Sequence, residues 1–390
     1  MAQSAAIPFP PSAQARSSTV SIPWPLWAGA ASISSIIFGL YWDISWHITI
    51  GRDTFWTPAH LAIQFGAVLA ALSCGALILG ATFGKDAALR QASVQVWGFR
   101  GPFGAFLAAW GGATMIVSAP FDNWWHDSFG LDVQIISPPH MVLAAGIFFV
   151  GIGSLVLMAG PKNRAAGTAQ IKLERLFVYI GANLLTLYSI LMIEFTYYAG
   201  MHRAMPYKVL SYGAPMLLVA LARGSNRRWA ATRAALLYFG FFLLALWIFP
   251  LFPAEAKLGP VLTPVTHMVP LQFPLLLFAP ALAVDWLVER MAGRNRWLLA
   301  LAVGGAFLAV LLAVEWPFSS FMVSPLARNW IFGMNYFGYQ DAPSNYHLNW
   351  EFQKEAAPVF WQNMAAAVVA VFLSSRFGLA CGDWLRSLQR

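Results

Sequence analysis

Apolar runs of about 20 residues recur along the whole chain, separated by short polar connections, and each is long enough to cross a bilayer core of about 30 Å. Ten such runs are read, near 23–42, 58–82, 102–121, 139–160, 175–199, 205–222, 229–252, 264–288, 296–315 and 358–375. None shows the apolar/polar alternation of a barrel strand. A backbone that must satisfy its own polar groups in hydrocarbon is then predicted to be helical. The expected fold class is an all-α integral membrane protein, a polytopic bundle of about ten transmembrane helices. The best internal boundary is 161–174, which opens on Pro-Lys-Asn-Arg and carries Gly and small residues. It divides the chain into a tail over 1–22, a four-helix membrane domain over 23–160 and a six-helix membrane domain over 161–390.

Three stretches fall outside the apolar pattern. The first twenty residues are rich in Ser, Ala and Pro and lack the basic-then-apolar order of a cleaved signal peptide. They are expected to form a loosely ordered tail, with the first helix serving as the insertion signal. Residues 85–100 read as a short connector, with an interfacial helix as one option. Residues 316–357 are rich in Trp, Tyr, Phe and Asn, which predicts a segment folded over the membrane interface; a re-entrant element is the alternative.

Composition agrees with the pattern: charged residues make up 10% of the chain, against about 25% in soluble domains. The net charge of +8 would hint at nucleic acid in a soluble chain. Here its placement gives a different cause. Lys85, Arg90, Arg100, Lys162, Arg164, Lys172, Arg175, Arg223, Arg227, Arg228, Arg233, Arg290, Arg294 and Arg296 fall in even-numbered connections, and Arg16, Arg376, Arg386 and Arg390 flank the first and last helices. Odd connections hold only Arg52, Arg203, Lys208, Lys257, Arg328 and Lys354, a bias of about three to one. The positive-inside rule then places both termini and the even connections in the cytoplasm, the inner membrane being the expected location, and it excludes a nucleic-acid partner as the reason for the charge. The two cysteines, Cys74 and Cys381, are too few for an external disulfide framework.

All seven histidines (His47, His60, His126, His140, His202, His267 and His347) lie at odd connections or the helix ends facing them. Asp43, Asp53, Asp122, Asp127, Asp132, Glu194, Glu255 and Asp341 share that side. A repeat organises four of the histidines. The first helix ends in Asp43-Ile-Ser-Trp-His47 and the second begins Thr57-Pro58-Ala59-His60; the third ends in Asp122-Asn-Trp-Trp-His126 and the fourth begins Ser137-Pro138-Pro139-His140. Asp and His four residues apart share a helix face. Proline suits the first turn of the returning helix, which brings the third residue back toward the pair. Two candidate metal sites follow: Asp43, His47 and His60, and Asp122, His126 and His140. Carboxylate with imidazole suits Cu, Zn, Fe or Ni, and three ligands leave coordination positions open for chemistry. The competing reading is a hydrogen-bonded Asp/His network without metal. Asp127 and Asp132 read as solvated. Glu194, His202, His267 and His347 read singly as interfacial hydrogen-bonding residues.

The run Asp43-x3-His47-x12-His60, with Arg52-Asp53-Thr54 and Thr57-Pro58-x-His60 inside it, resembles the metal-binding segment of the C-type subunit of particulate methane and ammonia monooxygenases. The second triad has the spacing of the neighbouring copper site in that same component, with Asp122 where the family carries Asn. More weakly, Pro280–Trp286, Arg294–Leu298, Gly304–Phe307 and Glu315-Trp316-Pro317 look like the C-terminal helices of the family's A-type subunit. The first likeness covers roughly 24–160 and the second 260–390; 161–259 matches neither. The family's B-type subunit, with its cupredoxin-type domains, has no counterpart here. The resemblance implies copper as cofactor, O₂ and a small apolar substrate. It also implies assembly as a homo-oligomer in membrane lipid, together with a separate cupredoxin-type subunit. Spacing alone does not separate copper from zinc. The alternative function is copper transport, storage or assembly without redox catalysis.

Overall fold

The computed structural model describes residues 22–51, 56–130, 137–257, 265–336 and 350–389. They form eleven helices: α1 (Trp24–Thr49), α2 (Pro58–Phe83), α3 (Ala87–Gln91), α4 (Phe103–Phe129), α5 (Pro138–Arg164), α6 (Gly167–Leu191), α7 (Met205–Gly224), α8 (Ala230–Ile248), α9 (Phe278–Arg290), α10 (Arg296–Val323) and α11 (Ala357–Ser387), with a few 3-10 turns between them. Among the described residues seven helices are long and apolar enough to cross a membrane: α2, α4, α5, α7, α8 with its 3-10 extension to Leu251, α10 and α11. The chain is thus a multi-pass all-α bundle. α1 and α6 have comparable length, 26 and 25 residues, and fall outside that set.

The first four long helices close a ring, α1 on α2, α2 on α4, α4 on α5 and α5 back on α1. Between lipid-facing helices apolar burial gives little attraction, so close backbone approach must supply it. Small residues make that approach possible along the whole α4–α5 seam. A Cβ at Gly104 would lie 2.3 Å from Leu157 N, one at Gly153 2.4 Å from Ala108 N, and one at Gly111 2.6 Å from Gly146 O. α6 packs on both α1 and α5, and one buried apolar cluster runs from Ile33, Met115 and Val150 through Leu185 and Leu218 to Phe307 and Val371.

Three elements differ from the sequence expectation. Residues 85–100 hold the one-turn helix α3 and a two-stranded hairpin, Val94–Val96 paired with Phe99–Gly101, in place of an interfacial helix. α10 runs on as helix to Val323, so the aromatic segment begins later than 316; its residues 337–349 lie outside the described residues. The helix expected over 264–288 is helical only from Phe278. Residues 265–277 instead run extended into the bundle. Pro264, Pro270 and Pro274 explain this: each lacks an N–H, and each biases the residue before it away from helix.

Extended backbone within a bundle survives only if protein groups satisfy it. They do so here. Ser45 Oγ donates to Val269 O (2.6 Å), and Val269 N donates to Thr49 Oγ1 (2.8 Å). Leu271 N donates to Tyr41 Oη (3.0 Å) and Leu275 N to Tyr238 Oη (3.1 Å). Tyr198 Oη reaches the carbonyls of Phe273 and Pro274 (3.3 and 3.2 Å). The segment closes with Leu276 N on Glu315 Oε1 (2.5 Å).

The basic residues gather at the end of the bundle away from the aspartate–histidine repeats, where they tie helix ends together. Asp383 takes Arg223 at 2.6 Å and Arg296 at 2.9 Å. Lys162, fully buried, meets Glu174 at 3.5 Å and donates to Gly224 O at 2.7 Å.

Candidate metal centre

α1 extends past the apolar run to Thr49, so Asp43 and His47 stand one turn apart near its end. Thr57 caps α2, its hydroxyl accepting from His60 N (3.2 Å), and Pro58 occupies the first turn. Proline there costs no hydrogen bond, because the first N–H groups of a helix lack intrahelical partners. The cap fixes where His60 emerges. Asp43 Oδ1 lies 3.0 Å from His60 Nε2 and 3.6 Å from His47 Nε2. The two imidazole rings are 6.3 Å apart and tilted at 55°. One donor atom from each residue falls within 4.8 Å of the other two, and this is the one such group of three among the described residues.

Asp43 Oδ1 is itself buried, yet among the described residues it makes no contact of hydrogen-bond geometry. A buried polar atom left in that state is costly in a network of hydrogen bonds alone. It is what an O,N,N donor set looks like when its atoms converge on a shared point. The residues present therefore fit a metal ion, and the set of one carboxylate and two imidazoles suits a transition metal.

The second repeat builds a similar but looser arrangement. α4 continues through Asp122 and His126 to Phe129, and α5 opens with Pro138 and Pro139 before His140. Asp122 Oδ1 lies 3.5 Å from His126 Nε2 and 3.6 Å from His140 Nε2, and it too is buried without hydrogen-bond geometry. His126 Nδ1 rests against Gly130 O at 3.1 Å, which orients the ring so that Nε2 faces Asp122. Such a contact fixes both tautomer and ring direction in metal-ligating histidines. Asp127 accepts from Asn123 Nδ2 (3.2 Å) and stands exposed. The flanking tryptophans pack on phenylalanines, Trp124 stacked on Phe121 and Trp125 tilted against Phe129.

His202 and His267 do not join either group. His202 is sandwiched between Trp316 and Phe352, ring centroids 4.4 and 3.5 Å away, with Nε2 at 3.1 Å from Trp316 O. His267 packs edge-on to Tyr336, and burial holds its imidazole below the ordinary range. Asp53, Asp132, Asp341 and His347 lie outside the described residues, as do Arg52 and Thr54. Cys74 and Cys381 are both free thiols.

Beside the first triad, on the neighbouring face of α1, lies a cavity of about 860 Å³ walled by Phe38, Trp42, Trp46, Ile50, Phe249 and Met268, with Glu255 and Lys257 at its edge. Sequence reasoning misses it, because its far wall joins the stretch from Ile248 to Lys257 with Val265, Thr266 and Met268 of a segment that hydropathy alone reads as helix.

No protein-family model, no curated protein and no solved structure matches this chain.

Proposed function

We propose that this chain is the membrane subunit of a copper-dependent monooxygenase. It binds copper at Asp43/His47/His60 and at Asp122/His126/His140 and oxidises a small apolar substrate with O₂. The observation that carries the reading is the convergence of Asp43 Oδ1, His47 and His60 on one point without a hydrogen bond at the carboxylate oxygen. Copper bound there would supply the one-electron and O₂ chemistry that no side chain in this protein can perform. The protein's own part is to present two neutral imidazoles and one carboxylate at fixed positions, leaving coordination positions open. The apolar cavity on the adjoining face of α1 supports a small apolar substrate, since its wall is mostly aromatic and aliphatic. The charge asymmetry supports an inner-membrane protein with both termini in the cytoplasm and the metal sites on the opposite face.

A second reading, copper transport or storage without redox chemistry, is favoured less by the placement of the donors. A Cu(I) path calls for soft Met or Cys ligands along the bundle. Here the carboxylate–imidazole groups sit at one end, and the basic end carries ion pairs instead.

Metal analysis of detergent-purified protein tests the proposal. His60→Ala is expected to lose about one bound copper per chain, because a three-ligand site seldom holds its ion after losing one imidazole. Unchanged copper content would overturn the assignment, and zinc in place of copper would overturn the choice of metal. Copper binding without O₂-dependent oxidation, even in the native complex, would decide for the second reading.

A further inference from the structure

Glu315 takes no part in either triad, yet it is fully buried. It sits within α10 at 0% exposure, flanked by apolar turns. Its Oε1 accepts from Leu276 N, where the extended segment ends and α9 begins. Its Oε2 is buried with no hydrogen-bond partner among the described residues. No lysine, arginine or histidine forms an ion pair with it among the described residues, whereas the other fully buried acid, Glu174, has Lys162, Ser225 and Asn226 N around it.

Among the described residues its side chain accepts one hydrogen bond, from Leu276 N, and a charge on it would act on three tyrosines, Tyr198, Tyr207 and Tyr238. Tyr198 and Tyr238 hold the extended segment, and Tyr207 Oη donates to Met201 O (2.9 Å). His202 is turned toward the carbonyl of Trp316, one residue on, with its ring stacked on the indole. A negative charge here would therefore face neutral dipoles alone. The positive end of α9 offsets part of the cost of that charge, but one N–H of a short helix does not replace a counter-ion or hydration. A metal cation would need several oxygen ligands and room, and Glu315 lines neither the large cavity beside α1 nor the small void near Gln272. A proton needs neither.

We propose that Glu315 is a proton-binding site inside the membrane, its carboxyl carrying one exchangeable proton on Oε2 at the break between the extended segment and α9. The step it performs is the reversible dissociation of the carboxylic acid to carboxylate and H⁺, the proton passing to water. The break is what makes the site. A continuous helix over 264–288 would satisfy Leu276 N internally and leave Glu315 Oε1 with nothing to bind. Polar and ionisable groups kept within membranes mark proton and ion paths where helices are interrupted. The inference stands independently of the metal sites, since it uses none of their residues.

Infrared difference spectroscopy on the full chain in lipid tests it. At neutral pH the protein is expected to show the carbonyl stretch of a neutral carboxylic acid, shifted in D₂O and missing from Glu315→Gln. Should Glu315→Gln fail to fold, Glu315→Asp is expected to move the same band to a new frequency. Absence of the band in the native protein, or its persistence unshifted in both variants, overturns the proposal. A thermal stability raised by sodium ions in the native protein but not in Glu315→Gln would also overturn it, assigning the site to a cation.

Discussion

Asp122 gives the second triad a carboxylate where the resemblance expects an amide. An anionic ligand stabilises the higher oxidation state of a bound ion. Asp122→Asn is therefore expected to keep the metal but make it easier to reduce, as followed by a redox titration of the copper electron-spin signal. Unchanged metal content and unchanged potential would show that Asp122 is not a ligand. His267 makes a pH-dependent contribution of a different character. Burial lowers its pKa in the docked segment, so the undocked segment takes up a proton first as the pH falls. The pairing of 266–268 with 252–254 is complete above the ordinary imidazole range and weakens below it. The protection factor of Met268 N, which donates to Phe252 O (3.0 Å), is expected to fall on mild acidification in the native protein but not in His267→Phe. The ligand-type residues of the two triads stand out in the sequence because Asp and His at four-residue spacing, followed by Pro and His, is a local pattern. Glu315 does not stand out: a lone acid in an apolar run shows its role only when its partner, Leu276, is placed beside it.

At the scale of elements, hydropathy reports how long an apolar run is, not whether it is helical. Nine of the ten apolar runs contain a long helix, several extending beyond the run where polar ligands continue the helix past the membrane-length stretch. The run at 264–288 is half extended, and its prolines carried the signal that length obscured. Seam glycines were legible only as composition, since their role depends on which helix lies opposite. That role is testable. Gly153→Leu places a side chain where a Cβ alone would come within 2.4 Å of Ala108 N, so α4 and α5 must separate. Overpacking of this kind costs about 1–3 kcal/mol or more. The variant is expected to lower thermal stability and to lose metal from Asp122/His126/His140, whose third ligand comes from α5, while Asp43/His47/His60 on α1 and α2 keeps its own. Loss of both metals together, or of neither, would show that the seam does not set the second triad.

The whole molecule has two unlike ends, and each leads to a prediction. At the basic end, ion pairs knit together α5, α6, α7, α9, α10 and α11. The topology proposed from the charge asymmetry puts that end in the cytoplasm. In a protein freed of Cys74 and Cys381, Ser128→Cys is expected to react with an impermeant thiol reagent from outside, and Ala292→Cys only after permeabilisation; labelling of Ala292→Cys from outside would reverse the topology. At the other end, the connections and helix ends expose Trp56, Trp124, Phe129, Leu251, Leu326 and Trp330 alongside the triads. Exposed apolar surface of that kind marks contact with lipid or protein, and tryptophan is favoured at the centre of protein interfaces. If the chain is a monooxygenase subunit, it needs a source of electrons, and the aromatic end is where a cupredoxin-type partner would seat. Lipid headgroups are the competing cover. The two differ in what survives gentle solubilisation: a partner travels with the chain and restores activity, whereas lipid exchanges with detergent and restores none. Native mass spectrometry after mild extraction is expected to find the chain in a complex with a second, β-rich protein, and the isolated chain to hold copper without turning over. A single-chain species that oxidises substrate unaided would overturn the prediction. A lone, inactive, copper-free species would favour the transport reading.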